Sequence, residues 1–204
     1  MIDYFALLSQ ARRPWLDLDS LKQKFLALST QCHPDRVHCA NEEEKVVAQK
    51  CYTELNAGYN CLRDHKQRLL HLLELERGAK PSELQNIPAD LMNLFLQVRE
   101  VCQQADAVLA QKKTVTSPLL KVNLFERAQE QTEKLTAVQK EINSRQEQLG
   151  NELKAIDARW DDLGKDGGEN REATLQKLEE IYRLASYFNR WSGQLQEHIV
   201  QLSF

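Results

Sequence analysis

Apolar residues recur at helical spacing along almost the whole chain, and the breaks between recurrences mark its parts. Leu21, Phe25, Leu28 and Cys32 fall at i, i+4, i+7 and i+11. That is one stripe of a helix beginning near Asp17 or Asp19, and it predicts a core-facing side. Lys22, Leu26 and Ser29 share a neighbouring stripe, expected to be open to a partner. A second helix over 41–63 puts Val47, Cys51, Leu55, Gly58, Tyr59 and Leu62 on its expected inner side. Gly58, a poor helix former, predicts close packing against the preceding helix. Asn41 and Glu44 read as a capping box at its start. Residues 3–9 predict a short helical turn. A leucine-rich helix over 66–77 ends at Gly78, an expected C-cap.

Gly78, Pro81 and Pro88 mark a linker over 78–88. Beyond it, 89–111 forms a helical pattern carrying Leu91, Met92, Phe95, Leu96, Val98 and Val101. After a polar break at 112–118 a long pattern covers 119–163. Its seam is Phe125, Ala128, Leu135, Val138, Ile142, Leu149, Ile156, Trp160 and Leu163, interrupted by Thr132, Arg145 and Glu152. A turn is expected at 164–168 and a last helix over 169–201. Three helices with short breaks predict an antiparallel three-helix bundle. The expected fold is all-α: an N-terminal unit over 1–77, a helical hairpin with short helices, then the linker and a bundle over 89–204.

Composition narrows this. Only 7 Gly and 5 Pro occur in 204 residues, in keeping with long helices. The net charge of -3 predicts no general affinity for nucleic acid or an anionic membrane. No apolar run is long enough to span a bilayer, and the acidic start predicts no signal peptide. Five cysteines, an odd number, argue against a disulfide scaffold and for a reducing cytoplasm. No phosphate loop and no nucleophile–base pair can be assembled, so an enzyme is not expected, nor a cofactor.

The chemistry concentrates between the first two long helices, in Cys32-His33-Pro34-Asp35-Arg36. Pro34 fixes a backbone dihedral and so lowers the ordering cost of binding. The Asp35 carboxylate suits a charge-assisted bond from a partner's arginine, and Arg36 adds a cation beside it. This loop, its flanking helices and the stretch 57–64 (Ala-Gly-Tyr-Asn-Cys-Leu-Arg-Asp) resemble a J domain. The resemblance implies docking on a DnaK-class ATPase chaperone through His33, Pro34 and Asp35, with Lys22 and Arg36 beside them. It implies allosteric stimulation of that chaperone's ATP hydrolysis. One departure stands out. Lys22 and Lys24 are present on the first long helix, but Leu26, Ala27 and Ser29 occupy later positions that carry basic residues in many J domains. Electrostatic steering should be correspondingly weaker.

No Gly/Phe-rich segment or zinc-binding cysteine pairs follow. The arrangement is instead similar to the HscB family, co-chaperones of iron–sulfur cluster assembly. Asp3-Tyr4-Phe5-x-Leu7-Leu8, Leu91-Met92 with 96–100, and Tyr187-Phe188-Asn189-Arg190-Trp191 carry that likeness. It implies a bundle that binds an IscU-like scaffold and presents it to an HscA-class chaperone. Leu91, Met92, Leu96, Arg99, Glu100 and Tyr187 are the candidate contacts, apolar side chains at the centre and charges at the edge. The middle helix is longer than is typical of that family. It keeps a second reading open, a J-domain adaptor whose bundle binds another client or oligomerises.

Plainer roles compete for these residues. Leu91, Met92, Leu96 and Tyr187 could be bundle core, and Arg99 and Glu100 solvated charges. Cys32, His33, His38 and Cys39 have an unusual spacing for a metal site, and no metal is expected. The seam is expected to pack within its own chain, making a monomer the expectation over a homodimer.

Overall fold

The computed structural model describes residues 1–33, 41–81, 87–115, 117–163 and 169–203. Every described element is helical. The chain divides into two compact units, Met1–Ser82 with Asn151–Tyr182, and Glu83–Gly150 with Arg183–Phe204. The division expected from the linker gave all of 89–204 to the bundle. The two longest helices instead contribute to both units.

In the first unit, α1 (Tyr4–Leu7) is capped by Asp3, whose side chain accepts from the amides of Phe5 and Ala6. Helix α2 (Leu18–Gln31) starts on Asp17, which accepts from Ser20 N at 2.7 Å. Helix α3 (Glu42–Arg63) starts on Asn41, which accepts from Glu44 N at 2.8 Å. Glu42, Glu43 and Glu44 then sit at the positive end of its dipole. Helix α4 (His65–Arg77) starts on Asp64 and stops at Gly78, whose φ of 71° is the left-handed cap expected of glycine.

The core stripe of α2 is present, with Leu21 fully buried and Phe25, Leu28 and Cys32 half-buried. Three details differ from the sequence reading. Ser29, expected to face a partner, is buried, and its hydroxyl donates to Leu26 O at 3.2 Å. Val47, expected inside, is 68% exposed, because the seam of α3 runs through Ala48, Leu55 and Leu62, spaced seven apart. Gly58 does permit a close approach, but by α1 rather than α2. A Cβ there would lie 3.1 Å from the Tyr4 ring and 3.5 Å from Leu7 and Leu8.

Two polar residues of α4 are buried among its leucines. Arg68 is 0% exposed. Its guanidinium donates to Pro14 O at 2.9 Å and to Leu62 O at 2.6 Å, and lies 2.7 Å from His65 Nδ1. Burial lowers its pKa to about 10, so it is still charged at neutral pH. His71 accepts the Tyr4 amide at Nε2, 3.1 Å away, which requires a neutral ring protonated at Nδ1.

Residues 151–182 belong to this unit through specific bonds. The buried Asp157 accepts from Arg13 Nε at 2.8 Å and Trp15 N at 3.3 Å. Trp160 Nε1 donates to Arg12 O at 2.7 Å. Arg77 pairs with Glu172 and Glu179, and Arg171 with Glu76.

The second unit takes α5 (Met92–Thr114), preceded by a 3-10 turn at Ala89–Leu91, with parts of α6 (Pro118–Asp157) and α7 (Glu169–Ser203). Its core is Leu91, Leu94, Val98, Ala105 and Val108 of the first, Leu124, Ala128, Leu135 and Ile142 of the second, and Phe188, Trp191, Leu195 and Leu202 of the third. The seam of α6 runs one position away from the expected start: Leu124 is buried and Phe125 is 70% exposed. Gln131, four residues before Leu135, is also inside, where its amide donates to Val101 O at 2.7 Å. The α6 helix ends at Asp157, short of the expected 163, and a 3-10 turn at Trp160–Asp162 follows. The expected turn at 164–168 lies outside the described residues.

Two measurements check this packing. Arg68→Met leaves buried acceptors without a donor and should cost about 3–5 kcal/mol of stability in urea denaturation. Burial pushes the pKa of His71 below its usual value, and burial with the neighbouring Arg68 cation does the same to His65. The unfolded chain therefore binds protons that the folded chain refuses. Stability should be full above roughly pH 6.5 and fall as pH drops below it. His71→Gln should make the fall between pH 7.5 and 5.5 shallower by up to one proton.

Candidate docking and client surfaces

The docking candidate is built on the pairing of α2 with α3. Phe25 stacks on Tyr59 with ring centroids 4.4 Å apart. The Cys32 thiol lies beside that of Cys51, and His33 meets the Tyr52 ring edge-on at 5.3 Å. From Phe25 to the end of α2 and His33, the partner on α3 moves back from Tyr59 to Tyr52, so the two helices run antiparallel. The sequence reading required this of a docking hairpin. His33, directly after the C-cap Cys32, is half-buried at its end. Pro34, Asp35 and Arg36 lie outside the described residues, as do His38 and Cys39.

The two lysines of α2 have different roles. Lys22 is exposed, while Lys24 donates from Nζ to Ser9 O at 2.7 Å and is committed to the fold. Exposed apolar side chains stand nearby in sequence: Leu26 at 51%, Val46 at 66% and Val47 at 68%. Leu26 is open, as its place on the outer stripe of α2 implies. The two valines were not expected outside, although the seven-residue spacing of Ala48, Leu55 and Leu62 carries the signal that turns them outward.

The client candidates lie on the second unit. Met92, Leu96, Arg99 and Glu100 fall at i, i+4, i+7 and i+8 of α5 and share one exposed face. Met92 is 41% and Leu96 50% exposed, high for large apolar residues of a packed helix. Leu91 does not join them. It is 2% exposed within the core, because the inward face continues from Leu91 through Leu94 and Val98. Tyr187 of α7 is half-buried, its ring 5.7 Å from that of Trp191, and it packs against the core. Among the described residues no group of three or more His, Cys, Asp or Glu could hold a metal ion. No described helix is long and apolar enough to cross a membrane.

The antiparallel α2–α3 pair with His33 at its end is the arrangement that the resemblance to a J domain implies. Comparison with known proteins shows what the chain is similar to. No family model matches the chain. It is 32% identical over 107 residues to a co-chaperone protein HscB homolog of Chromobacterium violaceum, covering 52% of this chain and 61% of that one. A second HscB homolog, of Burkholderia mallei, is 35% identical over 92 residues, 44% of this chain and 52% of that one. The chain thus spans only about three fifths or less of the curated relatives it matches. In fold it is similar to chaperone HscB from Vibrio cholerae, with a TM-score of 0.65 and 17% identity over 98% of this chain and 99% of that one. Human co-chaperone HscB gives 0.63 and 18% over 96% and 81%. The likeness to HscB-type co-chaperones therefore holds in sequence over half of the chain and in fold over nearly all of it.

Burial and the contact with Cys51 push the Cys32 thiol up to about 11. The thiolate is the nucleophile, so Cys32 should be a slow one. In a pulse of iodoacetamide at pH 8, read by peptide mass spectrometry, Cys32 should alkylate about a hundredfold more slowly in the folded chain than in urea.

Proposed function

We propose that this chain is an HscB-type co-chaperone. It docks on a DnaK/HscA-class ATPase through His33, Pro34 and Asp35, with Lys22 and Arg36 beside them. There it favours the state that hydrolyses ATP, and it delivers an IscU-like scaffold held by its second unit. It acts in a reducing cytoplasm and catalyses nothing itself. The observation that carries the reading is the antiparallel α2–α3 pair, with Phe25 on Tyr59 and His33 on Tyr52, which ends where the His-Pro-Asp sequence begins.

On this reading the docking face is less cationic than in many J domains. Lys24 is held by Ser9 O, which leaves Lys22 as the α2 lysine facing solvent. Leu26 and Val47 supply apolar area in place of charge, so association would be slower and less dependent on salt. The scaffold contacts are Met92 and Leu96, with Arg99 and Glu100 at the rim. Leu91 and Tyr187 support that face from within.

The adaptor reading, a different client on the same bundle, draws on the length of α6, 40 residues. The fold likeness to HscB covers 98% of the chain and so takes in this helix, which favours the first reading.

The two functions separate by mutation. Asp35→Asn should lower stimulation of an HscA-class ATPase about tenfold or more while leaving scaffold binding unchanged. Met92→Ala/Leu96→Ala should do the reverse, weakening a pull-down of IscU by about 2–4 kcal/mol. An intact chain that ignores IscU but still stimulates the ATPase would favour the adaptor.

A further inference from the structure

The largest exposure of apolar side chains in the described residues is not on the client face. It lies at the start of α6, where Leu119 is 80%, Leu120 55%, Val122 60% and Phe125 70% exposed. A soluble surface carries single apolar residues without consequence, but four within seven positions form a patch. The end of α7 lies at this same end of the second unit, since Lys112 Nζ donates to Leu202 O at 3.3 Å. Val200 there adds a further residue, 44% exposed.

The arrangement distinguishes between occupants. At ~100° per residue, Leu119, Leu120, Val122 and Phe125 spread over about 220° of the helix circumference. A helix lying in a protein groove offers one stripe, roughly half that width. Residues exposed around most of a helix end suit immersion of the end itself in a fluid surface. Charge adds a second criterion. Between 112 and 127 the chain carries Lys112, Lys113, Lys121 and Arg127 against Glu126, a local positive excess in a chain of net charge -3. That excess would repel a second copy and attract an anionic face. Lysine stems can also lie along apolar surface while the ammonium reaches a headgroup.

We propose that the α5–α6 end of the second unit is a peripheral anchor for an anionic lipid bilayer. Leu119, Leu120, Val122 and Phe125 enter the headgroup–acyl boundary, and Lys113 and Lys121 meet lipid phosphates, with Arg127, which donates to Gln111 Oε1 at 2.6 Å, beside them. The chain-wide charge, which argued against such surfaces, averages this local excess away. Binding is reversible, since a few apolar side chains and a few cations provide far less than a membrane-spanning helix.

The test is cosedimentation of the full chain with vesicles of phosphatidylcholine alone or with roughly one-third phosphatidylglycerol, at about 0.1 M salt. The expected result is binding to the anionic vesicles about tenfold stronger than to neutral ones. Leu119→Ser/Phe125→Ser should weaken it about tenfold, and Lys113→Glu/Lys121→Glu likewise. All four residues are exposed, so both variants should keep the wild-type melting curve. Should one fail to fold, the other still decides. Absence of binding overturns the proposal, as does equal binding to both vesicle types. It also falls if the wild type ignores vesicles but is retained by poly-glutamate through these residues, which would make the occupant an acidic protein. A concentration-dependent dimer abolished by Leu119→Ser/Phe125→Ser would assign the patch to a second copy and overturn it too.

Discussion

Arg68 holds a positive charge where water cannot reach it, and the first unit is built around satisfying that charge. An unpaired buried guanidinium would be among the costliest features a small helical unit could carry. Here its donors meet Pro14 O before α2, Leu62 O at the end of α3 and the ring of His65 on α4. Those acceptors come from three segments, so the bonds form together only if the segments are assembled correctly. Asp157, brought in from the end of α6, also stabilises the charge. The guanidinium thus requires the α1–α2 connection, the α3–α4 corner and part of the long helix at once. A hydrophobic side chain could give comparable stability. It would not fix the same corner geometry, and it is that corner that sets α3 against α2.

The hairpin follows from the corner. With α3 fixed, Phe25 can stack on Tyr59 and His33 can meet Tyr52. His33, the first residue of the proposed docking sequence, is then held at the end of a braced pair of helices. Preorganisation of this kind is what a docking element needs, because ordering costs are met during folding rather than on binding. The proposed client face on α5 follows the same logic. Leu91, Leu94 and Val98 hold the helix from within, leaving Met92 and Leu96 outward on a rigid support.

Much of this was legible in the sequence. Asp17, Asn41 and Gly78 announced the helix ends through their capping chemistry, which depends on neighbours within four residues. The stripe of Leu21, Phe25 and Leu28 and the helical course of α5 to α7 were equally local. What was missed needed tertiary partners. Arg68 looks like an ordinary solvated charge until Pro14 and Leu62 are beside it. Gly58 announced a close approach and pointed to α2, the preceding helix, but α1 is the one that comes. Val47 and Phe125 sit one position from the true seams, and apolar character alone could not choose between neighbours. The allotment of 151–182 to the first unit rests on pairs such as Arg13 with Asp157, separated by most of the chain.

The account makes one chain carry two engagements, a chaperone at the α2–α3 end and a scaffold on the α5 face. It is tested most directly by the steady-state ATPase rate of an HscA-class chaperone with the chain alone, the IscU scaffold alone, and both. The account predicts that the two together exceed the sum of their separate effects, because the chain brings the scaffold to the chaperone it activates. A rate with both that only equals that sum would contradict it.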